Sequence, residues 1–251
     1  MAFRIRTLSP DDPPDSFPNP ADAGIALGYP DGLIAVGGDL SAERLLAAYS
    51  KGIFPWYNDD QPVLWWSPDP RAVIAPDNFH MSRSLQRELR RHDWSYSLNQ
   101  NFSAVIAACA VGRGEHGTWI TADMQDAYIN LHQLGYAHSV ESWYDGKLAG
   151  GVYGVRLGKI FFAESMYTSH TGGSKVALSG LMHIALRNGI ELIDCQLESP
   201  HLVTLGMQSI VRSEFLSALP ALIDTASPMP NWCFAPQPAT PLTELRKPRT
   251  C

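Results

Sequence analysis

Hydrophobic and polar positions change period twice along this chain. Residues 10–32, rich in Pro, Asp and Gly, show no sustained period and read as loops. Apolar residues then recur at helical spacing in SAERLLAAYSKG. That predicts a short helix with Ser41 as N-cap, Arg44 at the capping-box position and Gly52 as C′ residue. KGIFPWYNDDQPVLWWSPDPR follows, where Pro55, Pro62, Pro68 and Pro70 forbid a long regular element. Its end, WSPDPRAVI, hands over to a strand-like run, and a domain boundary is expected near Asp69.

The helical period returns in three segments. MSRSLQRELRRHDW predicts a helix from Ser82 or Ser84, with Leu85 and Leu89 on one face and Arg83, Arg87, Arg90 and Arg91 on another. NFSAVIAACAVG predicts a second, ended by Gly112, and TADMQDAYINLHQLG a third between a Thr121 cap and Gly135. From His138 the period shortens to two. HSVESWYDGKLAGGVYGVRLGKIFFAESMY reads as three strands joined at YDGK and RLGK. GSKVALSGLMHIALRNG is an apolar helix, capped by Ser174 and stopped by Gly189, and ELIDCQ is a short buried strand. PHLVTLGMQSIVRSEFLSALPAL adds a short helix, a strand and a helix. The Pro-rich tail is expected to end loosely on the surface. The class is α+β: a small N-terminal α/β domain over 1–69, a larger domain over 70–232 with a mixed, mostly antiparallel sheet flanked by helices, and a tail over 233–251. A meander followed by helix–strand–helix is the layout of GNAT-type acyltransferases, an analogy of order that carries no function by itself.

Composition narrows this picture modestly. The 251 residues are 45% hydrophobic and 18% charged, with a net charge of −6, so a protein coated in nucleic acid is not expected, although a local basic stripe suffices for RNA. Cys109, Cys195, Cys233 and Cys251 form no CxxC, and reduced thiols are the expectation. No run reaches 18 apolar residues and the first residues lack an apolar signal core, so a soluble cytoplasmic protein without a membrane partner is expected.

Candidate chemistry is sparse. The eight histidines form no HxH or HExxH, so neither metal nor cofactor is expected. GxSxG is absent, and GGSK at 172–175 reads as a Gly-rich turn rather than a phosphate loop. The Arg83/Arg87/Arg90/Arg91 stripe is either a solvated face or a phosphate contact, since like charges at this spacing repel unless an anion lies between them. Glu164 stands inside the apolar run FFAESMY, while Asp194 and Gln196 alternate on ELIDCQ and share a face. Either these are hydrogen-bonded core acids, or they form an acidic pocket with apolar walls. Such a pocket suits a ligand carrying an ammonium and an apolar side chain, which describes an amino acid.

LIAVGGDLSAERLLAAYSKGIFPWY, LWWSPDPRAVI, GTWIT, LGYAHSVESW, AGGVYGV, FFAESMY, SKVAL and LIDCQ…H…LG occur in order over most of the chain. Together they resemble the leucyl/phenylalanyl-tRNA–protein transferase family. The resemblance implies transfer of Leu or Phe, less readily Met, from aminoacyl-tRNA to proteins beginning with Arg or Lys, which marks them for degradation by the bacterial N-end pathway. It implies a small N-terminal domain beside a GNAT-like one. It further implies that Asp194 and Gln196 are the catalytic pair and that Glu164 holds the donor's α-amino group. Trp56 and Trp119 would lie near the tRNA 3′ adenosine; Met166, with its neighbours Val152 and Phe162, would line the apolar side-chain pocket. The four arginines would bind tRNA. Val152 stands where a Met is familiar, which bears on donor ranking. Trp65 and Trp66 are expected in the domain-interface core, with Trp56 left to stack on a base. An acetyl-CoA-dependent acetyltransferase and a non-catalytic tRNA-binding protein are the competing readings; no CoA-cradling Gly loop is found for the first, and the second leaves the acids unexplained.

Overall fold

The computed structural model describes residues 5–22, 31–90, 94–111 and 118–239, and the statements below concern these. The N-terminal part builds a four-stranded sheet from β1 (Arg6–Leu8), β2 (Leu33–Gly37), β3 (Phe54–Pro55) and β4 (Leu64–Trp66), in the order β1-β2-β4-β3. Helix α1 (Ala42–Ser50) starts where Ser41 Oγ accepts the Arg44 N–H at 3.4 Å and ends before Gly52, whose φ of +71° only glycine adopts without strain. Arg44, at the capping-box position, is buried instead. Its guanidinium pairs with Asp39 at 3.1 Å and donates to the Asp12 carbonyl at 2.9 Å, tying down the N-terminal loop.

The second sheet has eight strands in the order β11-β5-β10-β9-β8-β7-β6-β12. They are β5 (Arg71–Ile74), β6 (Trp94–Leu98), β7 (Ala137–Tyr144), β8 (Lys147–Leu157), β9 (Ile160–Thr168), β10 (Leu192–Gln196), β11 (Gln208–Ile210) and β12 (Phe234–Pro238). Only β9 and β10 run parallel in it. The β7–β8 turn takes Asp145 and Gly146 through positive φ, as the Asp-Gly pair predicts. Helices α3 (Phe102–Ala110) and α4 (Ala122–Gln133) cover one face and pack with α1; α5 (Gly173–Arg187) and α2 (Arg83–Leu89) cover the other. The four-residue α6 (Pro200–Val203) and the longer α7 (Arg212–Leu222) complete the α set. None of these helices is long and apolar enough to cross a membrane.

Several sequence expectations give way: MSRSLQRELRRHDW is helical only to Leu89, and its Trp94 opens β6. The chain does not loosen directly after Asn231: Phe234–Pro238 forms β12 and adds antiparallel to β6, while 240–251 lie outside the described residues. Ser174 does not cap α5. Gly172, at φ +93°, occupies the N-cap, and Ser174 lies in the first turn with its N–H held by Thr168 Oγ1 at 3.0 Å. A left-handed glycine turned the chain one step earlier than the serine suggested.

The two sheets divide between Trp66 and Arg71, across a cis Asp69–Pro70 bond. Arg212 of α7 fastens this crossover by donating its backbone N–H to Asp69 Oδ1 (3.0 Å) and a guanidinium N–H to the Ser67 carbonyl (2.8 Å). One apolar core runs from Leu8, Tyr49 and Trp65 of the first part to Tyr153, Phe162 and Phe215 of the second. Trp65 is completely buried and donates its indole N–H to the Gly37 carbonyl at 2.8 Å. Trp66 is only partly buried, and the core role expected of both tryptophans belongs to Trp65.

Candidate active site

Each of the two parallel strands carries one extra residue at the same level. In β9 the pairing skips Glu164, between Ser165 opposite Tyr153 and Ala163 opposite Gly154. In β10 it skips Cys195, between Asp194 opposite Val73 and Gln196 opposite Ala72. Such bulges re-aim side chains and end local pairing. The β9–β10 register accordingly stops at Phe162 and Asp194, although β9 continues to Thr168. The strands part there, and a cavity of about 200 Å³ opens, lined by Phe54, Pro55, Trp56, Trp119, Glu164, Cys195, Gln196 and Leu197. A second, larger one of about 590 Å³ lies over the N-terminal sheet and shares Trp56.

Glu164 is the chemical centre of the smaller cavity. Its Oε2 accepts the Tyr128 hydroxyl at 3.1 Å, and its Oε1 accepts the Gln196 amide N–H at 3.2 Å. Tyr128 is in turn hydrogen-bonded to Tyr49, so α1 and α4 both reach the carboxylate. Burial pushes the Glu164 carboxyl up to about 7; the two tyrosine hydroxyls oppose this, and the charge of Asp194 adds to it. Burial, then the nearby Glu164 charge, drives both tyrosine hydroxyls well above their ordinary value, so they remain donors. Burial also pushes the Cys195 thiol far up, which leaves it protonated and a poor nucleophile.

Asp194 does not line the cavity. It is completely buried and bound bidentately by Arg71, with Nε to Oδ1 at 2.8 Å and Nη2 to Oδ2 at 2.6 Å. Its Oδ1 also accepts the backbone N–H of Gln196 at 3.0 Å. That bond closes a tight turn that places Gln196 at φ +58°, a left-handed conformation uncommon for a non-glycine residue.

The other sequence candidates divide by location. Trp56 is 41% exposed at the cavity mouth and Trp119 is half-buried beside it. Phe162 lies on the Glu164 side of the sheet, fully buried, its ring 4.9 Å from that of Tyr49, and it does not line the cavity. Val152 and Met166 are register partners, but they face the core under α5, across the sheet from Tyr49 and Tyr128, and neither lines this cavity. Arg83 and Arg87 are exposed on α2 and Arg90 at its C-cap, and Leu85 and Leu89 of the helix pack into the same α5-side core. Arg91 lies outside the described residues. The stripe is therefore no part of the cavity, and a ligand touching both must span the sheet.

Sequence reasoning missed Arg71, Tyr49 and Tyr128. Arg71 left a trace, as a charged residue opening the apolar run RAVI. The tyrosines left none, because they sit where helical periodicity already called for core. Glu141 was also missed. It is completely buried and accepts the hydroxyls of Ser97 and Ser139 and the N–H groups of Gln100 and Asn101 at 3.3 Å, fixing the chain just ahead of α3.

Residues 73–220 match the family model described as leucyl/phenylalanyl-tRNA protein transferase, and residues 38–69 match the model of that transferase's N-terminal domain. The chain is 51% identical over 220 residues to a leucyl/phenylalanyl-tRNA–protein transferase of Shewanella halifaxensis, covering 87% of this chain and 92% of the relative. It is 50% identical over 210 residues to the transferase of that name from Nitrosospira multiformis (83% and 90%), and 48% identical over 234 residues to that of Xanthomonas euvesicatoria (92% and 92%). Among solved structures, that of L-PGS from Bacillus licheniformis matches 68% of this chain and 57% of its own at 12% identity, with a TM-score of 0.39, too low to carry an argument. The chain belongs to the leucyl/phenylalanyl-tRNA–protein transferase family and is an aminoacyltransferase.

Proposed function

We propose that the cavity at Glu164 joins the aminoacyl end of a Leu- or Phe-tRNA, and less readily Met-tRNA, to the α-amino group of proteins beginning with Arg or Lys. The product would be marked for N-end-dependent degradation in the cytoplasm, and the catalytic part is read as GNAT-like. The observation that supports this best is Glu164: a carboxylate in an apolar wall, bonded to the Gln196 amide and open to a cavity between two tryptophans.

The donor is already an activated ester. The attacking α-amine has a reference pKa of about 7.7–8.0, so much of it is neutral near neutral pH and no strong base is needed. Holding amine and ester together supplies about 7–11 kcal/mol at best, enough to make positioning the main catalytic device. In this reading Glu164 accepts the donor's ammonium, and that cation draws the raised carboxyl back towards its ionised form. The Gln196 amide oxygen accepts an N–H of the incoming amine. Trp56 and Trp119 stack with the terminal adenosine, and apolar walls of the cavity such as Pro55 and Leu197 accept the side chain, since Val152 and Met166 face the other side of the sheet. An apolar pocket separates one methylene by only about 1–3 kcal/mol, which fits acceptance of more than one large apolar donor. Arg83, Arg87, Arg90 and Arg91 hold phosphates, which position the tRNA without reading its sequence.

The test is direct. The protein is mixed with Phe-tRNA carrying labelled Phe and with peptides beginning with Arg, Lys, Ala or acetyl-Arg. Label is expected only in the first two. Label in none, or equally in the Ala peptide, would overturn the acceptor assignment.

A further inference from the structure

Arg71 is the first residue of β5 and is completely buried. Three of its guanidinium nitrogens hold an oxygen: Nε and Nη2 grip the two Asp194 oxygens, and Nη1 donates to the Gly52 carbonyl at 3.0 Å. The guanidinium lies 5.0 Å from the Phe54 ring centroid and 4.5 Å from that of Phe215. Only a planar fork fills this slot; a lysine ammonium could not bind both carboxylate oxygens in the same plane. Asp194 is left with Oδ1 shared between Arg71 and the Gln196 N–H, and Oδ2 occupied by Arg71. A carboxylate so engaged is an anchor rather than a proton acceptor.

We infer that Arg71 is a positioning residue of the transfer reaction, setting Gln196 through Asp194. The chain of contacts runs from the Gly52 carbonyl at the end of α1, through Arg71 and Asp194, to the left-handed Gln196 backbone and so to the amide that meets Glu164. Arg71 thereby ties the geometry of the reacting amide to the seat of the N-terminal sheet, which supplies Phe54, Pro55 and Trp56 to the same cavity. This inference rests on the transferase reading above.

The experiment measures steady-state transfer of Phe for the wild-type protein, Arg71→Lys, Arg71→Ala, and the doubly apolar Arg71→Met/Asp194→Leu, with folded protein counted by thermal melting. Arg71→Lys is expected to lower kcat at least tenfold with KM for Phe-tRNA within threefold. Millimolar guanidinium should restore part of the kcat of Arg71→Ala in a saturable way and leave the wild type unchanged. Should single variants fail to fold, the double variant, which leaves no unpaired charge, is expected to fold and still transfer poorly. Wild-type kcat per folded molecule in Arg71→Lys or the double variant, or a rise in KM alone, would overturn the inference while leaving the transferase reading standing. No transfer by the wild type would overturn both.

Discussion

Among single residues, Glu164 carries the chemistry of the cavity. Its carboxyl is raised to about 7 in the folded protein, chiefly by burial. Between the ordinary carboxylate value and about 7 the folded state binds more protons than the unfolded one, so stability falls as pH rises through that window. Glu164→Gln should therefore raise the melting temperature at pH 8, with the gain shrinking towards pH 4.5, while donor affinity drops at both. An equal gain at the two pH values would show that the carboxylate is not strained by burial. The tryptophans make a second pair of predictions. Trp56→Ala, at the exposed mouth, should weaken Phe-tRNA binding by about 1–3 kcal/mol with little change in melting. Trp65→Ala, fully buried, should cost about 3–5 kcal/mol of stability in denaturant titration. An acid within an apolar strand is conspicuous in a sequence, and so Glu164 was legible. The partner of Asp194 was not: Arg71 lies 123 positions away, and pairing at that distance leaves no local pattern.

At the scale of elements, periodicity and turn residues located the helices and the strands β7 to β10, whereas β6, which opens at Trp94 inside a run read as helical, was missed. The caps followed local rules where one polar residue stood alone, as at Ser41 and Thr121. They failed at α5, where Gly172 and Thr168 took over the work assigned to Ser174. β12 was hidden for a different reason. FAPQP has no alternation and two prolines, which an edge strand tolerates because one side needs no partners. Ending the chain before Phe234 should bare the edge of β6, remove the Phe234 ring from Tyr96 and lower the melting temperature by a few degrees. Helix α2 carries the element-scale prediction for RNA. Arg83→Ala with Arg87→Ala should weaken binding alike for different tRNAs and flatten the logarithmic salt dependence by about 1.5. Loss confined to one tRNA would contradict a phosphate role.

At the scale of the whole molecule, neither sheet builds the cavity alone. Phe54, Pro55 and Trp56 come from the N-terminal part, whereas Glu164, Cys195 and Gln196 come from strands that part in the larger sheet. A sequence division near Asp69 conveys the order of the two parts but not the shared core or the Arg71 and Arg212 bonds that cross between them. Residues of both parts therefore line one space. The central claim is that the Gln196 amide acts on the reacting amine, and Gln196→Gly tests it most cleanly. Glycine accepts φ +58° without strain and keeps the N–H that Asp194 holds, so only the amide is lost. Single-turnover transfer of Phe from Phe-tRNA to an Arg-initiated peptide is the measurement. The expected rate is lower by about two orders of magnitude, equivalent to about 3 kcal/mol, with Phe-tRNA affinity and melting temperature preserved. A wild-type rate in that variant would contradict it.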